Sequence, residues 1–168
     1  MPRTVRVVWT TREHADRRAE AARLVRAATG CTLRHGPCSR CGGDHGRPRL
    51  EEGGSVSLAY AGDLVVAALA DDGDIGVDVE EGSASASARI ERLAPGSTLR
   101  DWTRFEAATK AVGADLRDGA HLPAVVEGED WQTDVAGRLV HGWDVDAPTG
   151  YVISVARAAA AAPDRSTS

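Results

Sequence analysis

The fold turns on one stretch, Leu64-Val65-Val66-Ala67-Ala68-Leu69-Ala70-Asp71-Asp72-Gly73-Asp74-Ile75-Gly76-Val77-Asp78-Val79-Glu80. Two apolar runs are broken by an Asp-Asp-Gly-Asp turn, which predicts consecutive strands over 64–70 and 75–80. The second run changes character halfway. Side chains two apart on a strand point the same way. Val77 and Val79 therefore face a core, while Asp78 and Glu80 put two carboxylates on the opposite face. Two adjacent hard oxygen donors suit a Mg²⁺ ion that keeps waters and accepts substrate phosphates. An acidic outer face on an edge strand is the alternative.

Upstream, Gly62-Asp63 separates the 64–70 run from another strand over Ser55–Tyr60. Cys31–Glu52 is a loop dense in Gly, Pro, Cys and His. Val5–Trp9 reads as a first strand. Thr10-x-x-Glu13 has capping-box spacing and is expected to open a helix that stops at Gly30. Ala21, Leu24, Val25 and Ala28 form its apolar face, and Arg17, Arg18, Arg23 and Arg26 crowd elsewhere on it, as a solvated face or as a wall for an anion. Downstream, Glu81–Ser87 is small and polar and reads as a linker or mobile loop. Thr98-x-x-Asp101 caps a helix running to about Val112 and ending at Gly113. Ala114–Asp130 is irregular. Trp131–Val135 and Arg138–Val145 form a hairpin turning at Ala136-Gly137. Tyr151–Ala156 is a last strand, and Ala158–Ser168 is a frayed tail.

The chain has 168 residues and a formal net charge of −5. That length allows one domain or two small fused halves. Residues 1–50 hold 11 Arg against 4 acidic residues, whereas residues 51–168 hold 9 basic against 21 acidic residues. The acidic balance argues against a general nucleic-acid binder, while the basic first third suits a local anionic ligand. The longest apolar run falls far short of the ~20 residues that span a bilayer. Met1-Pro2-Arg3-Thr4 lacks the apolar region of a signal peptide. Three cysteines, all within 31–41, make no disulfide framework, so a cytoplasmic protein is expected.

Two further constellations carry chemistry. Glu106 and Lys110 are i, i+4 on the second helix and share a face, as a surface ion pair or as a metal carboxylate beside a phosphate-neutralising ammonium. Lys110 is the one lysine among 20 basic residues, a compact cation in a chain that otherwise uses arginine. Cys38-x2-Cys41 with His45 beyond it, and Cys31 or His35 upstream, is a candidate tetrahedral zinc site; a tight basic loop without metal is the alternative.

In order, these segments resemble the 4′-phosphopantetheinyl transferases of the longer, surfactin-synthetase-activating type. Cys38-x2-Cys41-Gly42-x2-His45-Gly46-Arg47-Pro48 is similar to the family's C-x-x-C-G-x-x-H-G-[KR]-P loop. Val56–Ala68 is similar to its SLSHSGDLVVVA strand pair. Gly76-Val77-Asp78-Val79-Glu80 matches G-[IV]-D-[IV]-E, and Trp102–Ala111 is similar to W-[TS]-x-K-E-A-x-x-K. The likeness covers most of residues 12–157.

The resemblance implies an α+β pseudo-dimer of two similar halves, with mainly antiparallel sheets and packed helices. The halves would be 1–74 and 75–157, with a disordered tail at 158–168 and coenzyme A in the cleft between them; a monomer would suffice. It implies Mg²⁺-dependent transfer of phosphopantetheine from coenzyme A to a serine of an acyl or peptidyl carrier protein, releasing 3′,5′-ADP. Asp78, Glu80 and Glu106 would hold the Mg²⁺, which requires their carboxylates to converge within a few Å, as ~2.1 Å bonds demand. Glu106 would also serve as or orient the base, Lys110 would neutralise a phosphate, and Arg47, Tyr60, Arg23 and Arg26 would contact coenzyme A. Three positions depart from the pattern. Ala59-Tyr60-Ala61 replaces Ser-His-Ser, Phe105 replaces the lysine before the helix glutamate, and only 21 residues (81–101) separate the metal strand from Trp102. A degenerate homologue that binds coenzyme A or carrier protein without turnover, and a zinc-stabilised binding module, are the other expectations.

Overall fold

The computed structural model describes residues 5–13, 15–114 and 130–160. In chain order the elements are β1 (Arg6–Thr11), α1 (Arg17–Thr29), β2 (Leu33–His35), β3 (Pro48–Leu50), β4 (Ser55–Ala61) and β5 (Leu64–Ala70). Then come β6 (Ile75–Glu81), α2 (Ala84–Leu93), α3 (Leu99–Val112), β7 (Asp130–Val135), β8 (Arg138–Val145) and β9 (Tyr151–Ala158). This is an α+β architecture. One sheet has the order β1-β5-β4, another the order β6-β9-β8-β7, and β2 and β3 form a separate ribbon. All pairings are antiparallel. In the first sheet β1 is followed by α1 and, after the β2–β3 ribbon, by the β4–β5 hairpin, with β5 between β1 and β4; in the second, β6 is followed by two helices and three consecutive strands, with β9 between β6 and β8. Among the described residues, no helix is long and apolar enough to cross a membrane.

One apolar cluster joins the sheets. Ala59, Leu64, Val66, Ala68 and Ala70 of the first sheet pack with Ile75, Val77, Val79, Ile153 and Val155 of the second. The other face of the first sheet is covered by α1 through Val25, with Leu24 and Ala28 packed around it. The other face of the second sheet is covered by α3 through Ala107, Ala108 and Ala111, against Trp131, Val140 and Ala156. Two glycines permit these approaches. A Cβ on Gly76 would overlap the carbonyl oxygen of Ala107, and one on Gly142 would overlap the Trp131 indole. Hence α3 lies directly on the backbone of β6, and the Trp131 ring lies over β8.

The strands at 55–61, 64–70 and 75–81 follow the sequence pattern, as does α3 with its Thr98–Asp101 capping box and left-handed Gly113. Two expectations fail. Thr10 and Thr11 do not cap α1. They extend β1 opposite Val65 and Leu64, where β-branched residues fit the pleat, and the cap is Asp16, whose side chain accepts from the amides of Arg18 and Ala19. Nor is 81–87 a linker: Ser83 caps α2, whose one buried apolar anchor inside the helix is Ile90. The expected irregular segment lies outside the described residues except at its ends, and so does most of the tail; Ala158 itself ends β9.

The hairpin turns at Ala136-Gly137 as expected, with φ of 53° and 75°. Two positive φ values define the type I′ turn that matches strand twist. Ala136 pays a steric penalty there that glycine avoids. Ala136→Gly is expected to gain about 0.5–1 kcal/mol of stability, read as a raised urea midpoint at unchanged slope. A lowered midpoint would contradict the turn geometry.

Candidate functional site

The alternation of β6 places Asp78 and Glu80 on the face opposite Val77 and Val79, toward α3. Both acids are buried. The Gly76 contact holds α3 against this face and brings Glu106 and Lys110, one turn apart, over it. Lys110 Nζ donates to Asp78 Oδ1 at 2.7 Å and to the Val77 carbonyl at 3.1 Å. Asp78 Oδ2 is buried with no hydrogen-bond partner. Burial pushes the Asp78 carboxyl up to about 7; Lys110 opposes this, while Glu106 and Glu80 add to it. Burial also raises Glu106, with Lys110 opposing and Glu80 adding. A half-starved carboxylate beside two other acids is a seat that favours a cation or a proton.

A cavity of about 650 Å³ opens over this cluster. Its charged lining is Asp78, Glu80, Glu81 and Glu106, together with Arg17, Arg89 and Lys110. A second cavity of about 570 Å³ adjoins it; Arg17, Leu58, Tyr60 and Lys110 line both. The second is bounded by Arg18, Arg47, His35 and His45 and has no carboxylate in its lining. The molecule thus carries an acidic recess and a cationic recess side by side. Ser57 fixes their common wall by accepting the Val77 amide through Oγ at 3.0 Å, which ties β4 to β6.

The three carboxylates share a cavity, and two of them are held by cations. Arg89 of α2 holds Glu80 Oε1 at 2.6 Å, and Lys110 holds Asp78. Among the described residues, the metal-binding side chains whose donor atoms all lie within 4.8 Å of one another are Cys38, Cys41 and His45. Asp78, Glu80 and Glu106 do not form such a group in this metal-free arrangement, in which Lys110 and Arg89 pair with two of the three. Their donor chemistry, and the unpartnered Asp78 oxygen, still fit a hard divalent ion.

The other expected residues divide. Tyr60 lines both recesses, and burial raises its phenol. Arg47 lines the cationic recess, and its guanidinium donates to the carbonyl of Lys110 at 2.9 Å, so it also ties the basic loop to the end of α3. Arg23 and Arg26 line neither recess; Arg23 pairs with Glu20 along α1 at 2.7 Å. The helix start at Asp16 turns Arg17 and Arg18 to the recesses instead. Cys31 and His35 do not join the cysteine cluster: Cys31 hydrogen-bonds Thr29, and His35 Nδ1 bonds the carbonyl of Gly46 at 3.1 Å. Phe105 is buried against Trp102, with ring centroids 5.9 Å apart, and both join Ile90 of α2. Its apolar identity matches a helix packed there.

The sequence reading missed Arg89, which lies on α2 just beyond the 81–87 segment read as a linker or mobile loop, and Asp144. Burial pushes Asp144 up, but hydrogen bonds from Arg104 and Ser154 outweigh it and hold the carboxyl below its usual range. Arg104 grips both Asp144 oxygens, at 3.1 and 2.6 Å, and Ser154 Oγ donates at 2.7 Å. This bidentate pair locks the first half of α3 to β8 and so fixes the direction from which Glu106 enters the site. No protein-family model and no curated protein matches this chain.

Proposed function

We propose that the protein is a Mg²⁺-dependent 4′-phosphopantetheinyl transferase acting on an acyl or peptidyl carrier protein. The carrying observation is the pairing of recesses: one rich in carboxylates, its neighbour lined by Arg17, Arg18, Arg47 and Lys110. A pyrophosphate ester such as coenzyme A needs both, cations for its phosphates and oxygen donors for its counter-ion. Each sheet opens on a strand that leads into helix and places its last strand beside that first one, which supports the reading of two similar halves with the cleft between them.

In this reading Asp78, Glu80 and Glu106 would hold Mg²⁺, which when bound neutralises charge on the pyrophosphate. Lys110 and the arginines orient the phosphates, since phosphoryl transfer depends on positioning and electrostatics. The carrier serine oxygen forms a bond to the phosphorus on the pantetheine side, the bond from that phosphorus to 3′,5′-ADP breaks, and Glu106 accepts the hydroxyl proton.

The test is incubation with coenzyme A, Mg²⁺ and several apo carrier proteins, followed by weighing the carriers. The expected result is a mass gain of one phosphopantetheine group, with Glu106→Gln slower by about 10²-fold. Full activity in Glu106→Gln would refute its role. The ion pairs Lys110–Asp78 and Arg89–Glu80 favour a second reading, a homologue that binds coenzyme A without turnover. Bound coenzyme A with no mass gain on any carrier would establish it.

A further inference from the structure

We propose that Cys38, Cys41 and His45 form a zinc site, separate from the carboxylate recess, that fastens the basic loop. The argument starts from the donors. The two thiol sulfurs and the imidazole nitrogen all lie within 4.8 Å of one another, and Cys41 Sγ is 3.4 Å from His45 Nε2. Tetrahedral zinc, with bonds of about 2.3 Å to sulfur and about 2.1 Å to nitrogen, places neighbouring donors roughly 3.5–3.8 Å apart. Only small side-chain movements separate the present arrangement from a coordinated one. Two thiolates and an imidazole select zinc over magnesium or calcium. Three protein ligands leave a fourth tetrahedral position for water.

The backbone is already shaped around this centre. The Gly42 amide donates to the Cys38 carbonyl at 2.8 Å, and the Cys38 and His45 amides both donate to the Gly43 carbonyl at 2.8 Å. Gly42 takes a φ of 72°, which lets the chain reverse between the ligands. The turn then closes on its own stem: the Gly46 amide donates to Gly36 at 2.8 Å, and a Cβ on Gly46 would overlap the Pro37 carbonyl oxygen. Arg47 follows immediately and reaches α3. A metal at this turn would hold fast the loop from which His45 and Arg47 line the cationic recess. The site stands on these three residues whether or not the chain is a transferase.

The experiment uses the full chain and zinc alone. Reduced protein is stripped of metal, and its thiols are counted with a chromogenic disulfide reagent, with and without one equivalent of Zn²⁺. Two of the three thiols are expected to lose rapid reactivity when zinc is present, while Cys31 keeps its own rate. Elemental analysis of protein reconstituted with zinc and freed of excess is expected to give one zinc per chain. Cys31→Ser should retain it; Cys38→Ser and Cys41→Ser should lose it. Equal thiol reactivity with and without zinc in the unaltered chain would overturn the proposal, as would full zinc content in Cys41→Ser. A Cys38–Cys41 disulfide that survives isolation under reducing conditions would also overturn it. The thiol count needs no variant, so a cysteine substitution that fails to fold leaves the test intact.

Discussion

Asp78→Asn is expected to cut phosphopantetheine transfer by about 10³-fold, the scale for removing one preorganised electrostatic group, and yet to stabilise the metal-free protein above neutral pH. The second effect follows from burial. The folded carboxyl titrates at about 7, far above the usual carboxylate range. Between about pH 4 and 7 the folded state therefore holds a proton that the unfolded chain has released, and stability falls as pH rises across that window. Above it, the ionised Asp78 costs on the order of a few kcal/mol, against Glu106 and Glu80 and with only Lys110 to offset it. Asparagine removes the charge and still accepts from Lys110. At pH 8 without divalent ions the variant should melt about 5 °C above the parent chain, and the gap should close toward pH 4. Thermal melts at the two pH values check this. Equal melting at pH 8, or a lower-melting variant at both, would show that the buried charge carries no such cost. Retained transfer would remove Asp78 from the site.

Gly76→Ala should be the most damaging methyl group that can be added to β6. The new Cβ would overlap the Ala107 carbonyl and lie 2.6 Å from the Ala111 amide nitrogen. Both are helix backbone and cannot rotate away, so α3 must move as a body. Overpacking of this kind costs about 3 kcal/mol, or a drop of roughly 6–12 °C in Tm for a chain of this size. Because Glu106 and Lys110 ride on α3, their approach to Asp78 should be lost as well. Gly36→Ala is the control. Its Cβ would meet only the Arg47 carbonyl, at an ordinary 3.6 Å, and the melt should shift by no more than about 2 °C. A similar small shift in Gly76→Ala would mean that the helix does not sit on the strand as described.

What the sequence disclosed depended on how strongly each segment was patterned. Leu64–Ala70 and Ile75–Glu80 announced themselves, because unbroken apolar residues bounded by Gly-Asp and Asp-Asp-Gly-Asp admit few other structures. Thr98 and Asp101 marked α3 because both halves of the capping box are local. That Asp78, Glu80, Glu106 and Lys110 belong to one site was implied by the family resemblance and not by spacing. The errors arose where the deciding contact is distant. Thr10 resembles a cap until β5 supplies a partner strand. Ser83-Ala84-Ser85-Ala86-Ser87 resembles a linker until Ile90 finds Trp102 and Phe105. Arg23 and Arg26 were preferred to Arg17 and Arg18 because a start misplaced at Thr10 leaves the rotation of α1 undefined. The pairing of Arg89 with Glu80 was beyond reach, since Arg89 rides on a helix that the pattern concealed.

The insertion of the last strand in each sheet also sets an order of assembly. In the first sheet the central strand is β5, and the set of three is complete once Ala70 has been added. In the second the centre is β9, flanked by β6 and β8. Until the chain has been synthesised through Ala158, β6 has no neighbour in its own sheet, and the hairpin of β7 and β8 has no further strand to pair with. The inner face of the first sheet meanwhile waits for Ile153 and Val155. The strand that carries the carboxylates therefore gains its sheet partner only at the end of synthesis, from the final eight residues of regular structure.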